Sequence, residues 1–577
     1  MDRPFTSRLP GEMGAGVGSL VQVSFHGRSI RGWVLGSTDD VPSRLLDVRK
    51  LMSPVRFFDD DMLGLLRWVS ERYVSPLAAA IARSHPPRVV SEEVEFLPGT
   101  TAVAEGPVVP SRPLLDHKNG AELKRAIGGG SGTFVVRPAP EDEVDIAVEA
   151  VADCLADGRR AIVLVPEASP MPATAVAVRE AFGDRVGTLL GGDRRSRYRR
   201  WLEILAGRFE VVVGTRPAVF APQVDLGLML VSREGHPAHR EDRAPYHHVR
   251  DVSLRRAELS GAVCVLSAIC PSAESALLPA TVVSPATRRW PPVEVVRPGP
   301  EGRAPSLVRA LRGTTRAFLL SPLHGYGVAQ VCRACGNPAV CAACGGLLRS
   351  EEGVVSCVVC EATGRCAVCG AIDFGIRRGG AERVEEWAAV VATGRVRRVP
   401  PKGRPRLPVE GEVLVGGPEA VRDLGPGGLD LVAILDADLA ERRPGLAARE
   451  RALSTWMEAV GWARPSGRAI VQTEHSTDPA IQALVRGNPD RFHEDERRRR
   501  DAAGFPVGAA VFRVAGPPAL EAALAALRPT TMLVSSVGDQ TVCLLALEPD
   551  RVPELGRAVR ELAARDLVTR VEAEPHL

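Results

Sequence analysis

From residue 128 onward the apolar positions fall into short unbroken runs rather than alternating ones. "TFVVRP", "AIVLVPE", "FEVVVGT", "LGLMLVS" and "AVCVLSA" follow one another, separated by stretches of helical periodicity such as "EVDIAVEAVADCLADG". A strand that is apolar at every position must be covered on both faces, which predicts a mostly parallel sheet flanked by helices. The same rhythm returns as "RAFLLS", "GEVLVGG", "LDLVAILDAD" and "GRAIVQTE", so a second α/β unit is expected. The last stretch, 505–577, reads as β-α-β-β-α-β, a compact α+β domain.

The N-terminal region is patterned differently. "GAGVGSLVQVSFHGRSIRGWVLG" (14–36) alternates small or apolar with polar positions and is punctuated by glycine, which predicts a small β unit with tight turns. "DDDMLGLLRWVSERYVSPL" has an acidic start, apolar residues at Leu63, Leu66, Val69 and Tyr73, and a proline stop at Pro76; it predicts an amphipathic helix. Residues 85–127 are rich in Pro, Gly and Glu and look like a linker or a worn-down domain. The expected division is therefore a β-rich domain over 1–92, a linker over 93–127, one lobe over 128–295 and a second over 296–330 and 371–504. An insertion occupies 331–370, and a C-terminal domain 505–577.

That insertion changes the picture. It holds eight cysteines in four Cys-x-x-Cys pairs: Cys332 and Cys335, Cys341 and Cys344, Cys357 and Cys360, Cys366 and Cys369. Such a pair supplies two thiolates from one turn, and a closed tetrahedral zinc site needs four sulfurs about 2.3 Å from the ion. Gly336, Gly345 and Gly370 follow three of the pairs, where a turn with positive φ brings amides toward sulfur. A five-residue gap is short for two knuckles of one zinc ribbon. Nested pairing is therefore preferred, with Cys332, Cys335, Cys366 and Cys369 around one ion and Cys341, Cys344, Cys357 and Cys360 around the other; sequential pairing stays open. Four-thiolate sites leave no position for water, so two structural zinc ions are expected.

Length and charge add limits. A chain of 577 residues is too long for one core. The formal charge is only +3, and the sole lysines are Lys50, Lys118, Lys124 and Lys402, so no global field announces nucleic acid. The N-terminus lacks an apolar signal segment, and the longest apolar stretch is broken by Arg216, Asp225 and two prolines; the reading is of a cytoplasmic protein without a membrane span. In that reducing compartment paired cysteines mean metal rather than disulfides. Cys154, Cys264, Cys270 and Cys543 lie in apolar runs as small hydrophobes. His236, His239, His247 and His248 match no ligand pattern. "HEDERRRRD" reads as local helix pairs. Arg28 and Arg31, beside the turn of the β unit, are candidate phosphate contacts. The basic runs "DRRSRYRRW" (193–201) and "GRVRRVPPKGRPR" (394–406) could follow a DNA backbone, with Tyr198 or Trp201 to stack on bases; a solvated helix face or a linker is the equal alternative for each.

An eight-cysteine insertion inside the second of two α/β lobes resembles the PriA family of replication restart helicases, and the resemblance extends over nearly the whole chain. "VGSLVQVSFHGRSIRGWVLG" resembles its N-terminal 3′-DNA-binding domain. "RYRRWLEILAGRFEVVVGTRPAVFAPQVDLGLMLV", "PYHHVRDVSLRRA" and "LSAICPSAES" resemble its first helicase lobe, "VAILDADLAERRPGLAARERAL" its second, and "ERRRRDAAGFPV" the approach to its C-terminal domain. The resemblance implies two RecA-like lobes and a nucleoid-associated protein that recognises forked, branched or single-stranded DNA at abandoned replication forks. It implies partners among primosome proteins, the replicative helicase and single-stranded-DNA-binding protein, and ATP with magnesium as fuel.

The fuel motifs are where this chain departs from that pattern. A phosphate loop requires glycines, a lysine and a hydroxyl, G-x-x-x-x-G-K-[ST]; here the corresponding segment reads "GTFVVRPAPEDEV". Ser232, Arg233, Glu234 and Gly235 stand in place of the family's D-E-E-H. "VGWARP" stands in place of A-G-R-A-G-R, with Trp462 and Pro465 at the arginine positions and Arg464 as the nearest substitute. Phosphoryl transfer depends on positioning and charge neutralisation, so a degenerate, non-hydrolysing pair of lobes is expected and no catalytic or nucleotide-binding residue is assigned; weak ATP hydrolysis through unconventional residues, or a protein-interaction scaffold without specific DNA binding, are the alternatives. At the N-terminus the family's F-D-Y reads Phe5, Thr6, Ser7, and the family's winged helix has no counterpart of sufficient length in the linker. The chain starts abruptly, as if a first strand were missing.

Overall fold

The computed structural model describes residues 4–43, 45–94, 111–299, 302–323, 327–337, 339–351, 353–358, 360–378, 380–400, 402–441 and 445–575. The N-terminal domain is a three-stranded antiparallel sheet of β1 (Ser19–Phe25), β2 (Arg28–Trp33) and β3 (Lys50–Arg56), in the order β2-β1-β3. It is followed by α1 (Asp60–Arg72), α2 (Leu77–Ser84) and α3 (Val90–Val94). Asp59 caps α1, its carboxylate accepting from the Met62 amide at 2.8 Å. Leu63, Leu66 and Val69 lie on the buried face of α1, as their spacing predicts.

The first lobe is built on β4 (His117–Lys118), α4 (Gly120–Ile127), β5 (Gly132–Val136), α5 (Glu143–Ala156), β6 (Arg160–Leu164) and α6 (Ala173–Phe182). It continues with β7 (Val186–Leu189), α7 (Arg194–Leu205), β8 (Val211–Gly214), β9 (Leu226–Ser232), α8 (Val249–Ser260), β10 (Val263–Ser267), α9 (Ala273–Ala276) and β11 (Thr281–Pro285). Its eight-stranded sheet runs β4-β11-β5-β10-β9-β6-β8-β7, parallel except for β4 on β11. This corrects the expected linker: residues 113–127 belong to the lobe. β4 pairs with β11, and Leu114, Leu123 and Ile127 are fully buried in the lobe's core. The polar composition of 85–127 hid these three anchors. Residues 95–110, part of the stretch from which the absent winged helix was read, lie outside the described residues.

The second lobe has a six-stranded, all-parallel sheet, β12-β21-β20-β13-β19-β18. Its elements are β12 (Val293–Val296), α10 (Pro305–Arg312) and β13 (Arg316–Leu320). The insertion then contributes β14 (Gly327–Cys332), β15 (Leu348–Glu351), β16 (Val354–Cys357) and β17 (Phe374–Arg378), an antiparallel sheet in the order β16-β15-β14-β17. The lobe resumes with α11 (Ala381–Val391), β18 (Arg395–Arg398), β19 (Glu412–Gly416), β20 (Leu429–Ile434), α12 (Ala437–Glu441), α13 (Ala448–Val460), β21 (Ala463–Gln472), α14 (Pro479–Arg486) and α15 (Asp490–Ala502). The C-terminal domain, β22 (Ala510–Gly516), α16 (Leu520–Ala525), β23 (Thr531–Val537), β24 (Gln540–Leu547), α17 (Val552–Ala563) and β25 (Arg570–Ala573), has the β-α-β-β-α-β order read from its pattern. The fold class is thus the expected multidomain α/β type, with two parallel-sheet lobes, a cysteine module, a β-rich N-terminal domain and an α+β C-terminal domain.

The domains are not beads on a string. One continuous apolar core joins Phe57, Leu66 and Ile81 of the N-terminal domain, Trp201, Phe220 and Val252 of the first lobe, and Phe512, Leu545 and Leu555 of the C-terminal domain. Tyr73 ties two of them with polar bonds, donating to Asp251 at 3.0 Å and accepting from the His248 amide at 3.0 Å.

Candidate metal centres, DNA-facing sheet and inter-lobe cleft

The cysteine module is built from four near-identical turns. After each Cys-x-x-Cys pair the chain turns back so that an amide reaches the carbonyl of the first cysteine: Gly336 to Cys332 (2.8 Å), Gly345 to Cys341 (2.9 Å), Glu361 to Cys357 (3.1 Å) and Gly370 to Cys366 (2.9 Å). The turning residue has positive φ each time, 71°, 71°, 58° and 73°. Three are glycine; Glu361 takes the conformation without glycine's freedom. In every pair the first cysteine is buried and the second exposed.

Across the sheet these turns meet in two groups of four. Cys332, Cys335, Cys366 and Cys369 form one, and Cys341, Cys344, Cys357 and Cys360 the other, the sulfurs in each lying within 4.8 Å of one another. The grouping is the nested one, because β15 and β16 form a hairpin that brings Cys357 back beside Leu348, and Cys341 bridges Cys366 between the two sites. Sulfur–sulfur distances of 3.4–3.6 Å approach the roughly 3.8 Å edge of a tetrahedron with 2.3 Å metal–sulfur bonds. The sulfurs also accept hydrogen bonds: Ala343 donates its amide to Cys341 and Val368 its amide to Cys366, both at 3.4 Å, and Asn337 donates to Cys335 at 3.3 Å. The Asn337 contact leads in lowering the Cys335 thiol to about 6. The donor set fits a metal that accepts four thiolates. Among the described residues the module's own apolar cluster contains only Ala339, Leu348 and Phe374 besides cysteines as buried members, too little to fold forty residues without such a staple.

Arg28 and Arg31 are both exposed, but they do not converge. Residues three apart on a strand face opposite ways: Arg28 pairs with Phe25, while Arg31 pairs with Gln22. Gln22 also pairs with Lys50 of β3. Arg31, Gln22 and Lys50 therefore form one polar row across three strands, and Lys50 is the member that sequence reasoning missed. The signal was present, since only four lysines occur, but the cross-strand register that brings it in was not. On the other face Phe5 packs edge-on against Phe25, with ring centroids 4.8 Å apart.

The two basic runs are largely consumed within the protein. Tyr198 and Trp201 are buried to within 1 % and offer no face to a base. Both lie on the inner side of α7; Phe57 stacks on Trp201 at 5.6 Å, and Tyr198 donates to Glu93 at 2.6 Å. Arg195 and Arg199 pair with Glu92 of α3, so this face of α7 docks the N-terminal domain. In the second run Arg397 and Arg406 share Glu412, and Arg398 takes Glu382 and Glu385. The acids missing from that segment arrive from β19 and α11. In "HEDERRRRD" the local pairs expected for Arg498 and Arg499 are present, but Arg500 also reaches Glu274 of the first lobe at 2.8 Å and Glu450 at 2.9 Å. Cys154, Cys264, Cys270 and Cys543 are buried. The four histidines are held below their ordinary range, chiefly by burial, and join no metal-type group among the described residues.

Between the lobes, the loop from β5 to α5 contains Pro138 and Pro140, and Gly461 at the end of α13 approaches it so closely that a β-carbon there would sit 3.1 Å from Pro140. Arg233, with φ of 50° just after β9, lies buried between Glu143 at the start of α5 (3.6 Å) and Glu458 of the second lobe (2.9 Å). Burial lifts the Glu143 carboxyl to about 7 against the pull of Arg233, with Asp423 and Glu458 adding to the rise. Glu234 turns away and accepts from the Ser272 amide at 2.5 Å and its hydroxyl at 3.0 Å. Trp462 is buried edge-on against Phe318, and Arg464 pairs outward with Asp430 at 2.7 Å. Between the lobes lies a mainly apolar cavity of about 240 Å³, with Gly235 and Pro237 of the first lobe and Val421, Ile434, Trp456 and Glu458 of the second among its lining residues.

Comparison with known proteins accords with this arrangement. Residues 1–86 match the family model of the PriA 3′DNA-binding domain. The probable replication restart protein PriA of Mycobacterium tuberculosis is 28% identical over 91% of this chain and 86% of its own length. The Mycobacterium leprae protein is 29% identical over 89% and 86%, and that of Treponema pallidum 26% identical over 88% and 83%. Among solved structures, the Mycobacterium smegmatis helicase Lhr bound to ssDNA and AMP-PNP aligns over 64% of this chain and 47% of that one, at 14% identity and a TM-score of 0.36. Over about nine-tenths of its length, then, the chain is similar to replication restart proteins of the PriA family, and its first 86 residues match that family's 3′DNA-binding domain.

Proposed function

We propose that the protein binds forked or otherwise branched replication DNA and promotes reloading of the replicative helicase as a scaffold, without acting as an ATP-driven motor. The observation that carries this reading is Arg233. A cation sits where a motor of this family needs a magnesium ligand, and it is buried against Glu143 at the helix start that would cradle phosphate. A helix N-terminus attracts phosphate through free amides and a positive field; here it meets Glu141, Asp142 and Glu143 together with two prolines. Outward pairing of Arg464 with Asp430 removes the remaining substitute for an arginine finger.

DNA would be engaged through the Arg31, Gln22 and Lys50 row, with Phe5 and Phe25 on the opposite face of the sheet. Zinc, held by the two four-cysteine groups, would act as a structural staple. Primosome proteins, the replicative helicase and single-stranded-DNA-binding protein are the partners that the family implies.

The test is a pair of titrations on metal-loaded protein. Forked DNA should bind more tightly than plain duplex at the same salt concentration, and Lys50→Ala or Arg31→Ala should each lower the salt slope by about one. ATP turnover with forked DNA should not exceed a protein-free blank. Turnover above that blank overturns the non-motor reading, and equal affinity for fork and duplex overturns the fork-binding one.

A further inference from the structure

In a nucleotide-driven pair of lobes, the triphosphate is the bridge: one lobe holds it and the other closes on it, so closure tracks occupancy. We infer that in this protein side chains have taken over that bridge, and that Arg233, Glu458 and Glu143 clamp the lobes shut whether or not a nucleotide is present. The inference rests on the reading that the cleft no longer works with nucleotide.

The contacts are specific and come from both sides. Arg233 belongs to the first lobe, and its closest partner, Glu458 at 2.9 Å, lies on α13 of the second. All three members of the group are at least nine-tenths buried, so removal of one leaves charge with nowhere to be solvated. The backbone at Arg233 takes a left-handed conformation that non-glycine residues rarely adopt, and the guanidinium of a residue held there reaches across the cleft. Strain of this kind persists only where the surroundings enforce it. A second fastening lies beside the first. Arg422 of the second lobe pairs with Glu167 of the first, and its neighbour Asp423 caps the start of α6, accepting from the Thr174 amide at 3.1 Å through its carboxylate and from the Ala173 amide at 3.0 Å through its carbonyl. Gly425 continues the contact, where a β-carbon would lie 3.3 Å from that of Ala173. These bonds join the segment between β19 and β20 to α6 and the loop before it in the opposite lobe.

Hydrogen exchange and small-angle X-ray scattering on the full, metal-loaded chain test the clamp. In the parent, adding ATP with magnesium should change neither the radius of gyration nor the exchange of segments 138–143, 233–237 and 456–462. Glu458→Gln and Arg233→Met should each speed exchange in those segments by roughly tenfold or more and enlarge the particle. Because Arg233→Met could unfold the lobe, Arg422→Gln and Glu167→Gln, on the partly exposed pair, provide the gentler reading: faster exchange at 173–176 and 421–425 with the sheets still protected. Variants that stay as compact and protected as the parent overturn the clamp, as does compaction of the parent by nucleotide. Nucleotide that binds without changing compaction overturns the reading of the cleft but leaves the clamp standing.

Discussion

At the scale of single residues, the clearest feature is how burial rather than sequence neighbours sets the charge of a group. Glu143 sits beside two other acids in the sequence, yet its environment is made by Arg233, Asp423 and Glu458. Its carboxyl holds a proton up to about pH 7, whereas in the unfolded chain it would release it near the ordinary glutamate value. The unfolded state therefore binds fewer protons between those two points, and stability falls as pH rises through that window, then levels off above about 7. Glu143→Gln removes this titration. The fall in stability that urea unfolding shows for the parent as pH rises from about 4.5 to 7 should therefore flatten in the variant. Tyr198 gives a complementary case: an aromatic in a basic run suggests base stacking, but the ring is inside. Tyr198→Phe deletes a buried hydrogen bond to a carboxylate and should cost roughly 1.5–3 kcal/mol of stability while leaving affinity for single-stranded DNA unchanged.

At the scale of elements, local pattern was a reliable guide wherever an element buries a regular face. The amphipathic run of α1 and the unbroken apolar runs of β5, β6, β8, β9 and β10 each formed the predicted element, because hydrophobic period alone decides what can be covered. β4, β7, β11, β12 and β18 escaped notice, being short or edge strands whose pairing is decided by neighbours. The cysteine module shows both sides of this. Spacing announced two metal-type sites, but β15 and β16 decide which cysteines meet. Replacing Cys341, Cys344, Cys357 and Cys360 together by serine should leave one metal ion per chain instead of two, measured by elemental analysis of folded protein. Loss of both would contradict the geometry of the sheet.

At the scale of the whole molecule, the domains share one core and are cross-linked by buried arginines. Arg500 is the strongest example, reaching Glu274 of the first lobe, Glu450 of α13 and Glu496 on its own helix. Arg500→Ala would leave the buried Glu450 without its arginine, while Glu274 keeps Arg250 and Glu496 keeps Arg449 and Arg499, and should destabilise the chain by about 3 kcal/mol, seen as a lower denaturant midpoint. Such ties give the N-terminal sheet a fixed bearing relative to the lobes through Tyr73, Glu92 and Glu93. No helix among the described residues is long and apolar enough to cross a membrane.

The sequence by itself determined what is local or additive: the two parallel-sheet lobes, the β-rich start, the α+β end, and eight cysteines whose spacing suits two four-thiolate metal sites. Hydrophobic period and ligand chemistry act over a few residues, so they can be read along the chain. Only the tertiary structure decided what depends on groups far apart in sequence. It folded 113–127 into the first lobe, turned Arg28 and Arg31 to opposite faces, and placed Lys50 beside Arg31. It also neutralised the basic runs with acids from other elements and set Arg233 between two lobes. Those outcomes rest on register and on the energetics of buried charge, and neither exists until the chain has closed on itself.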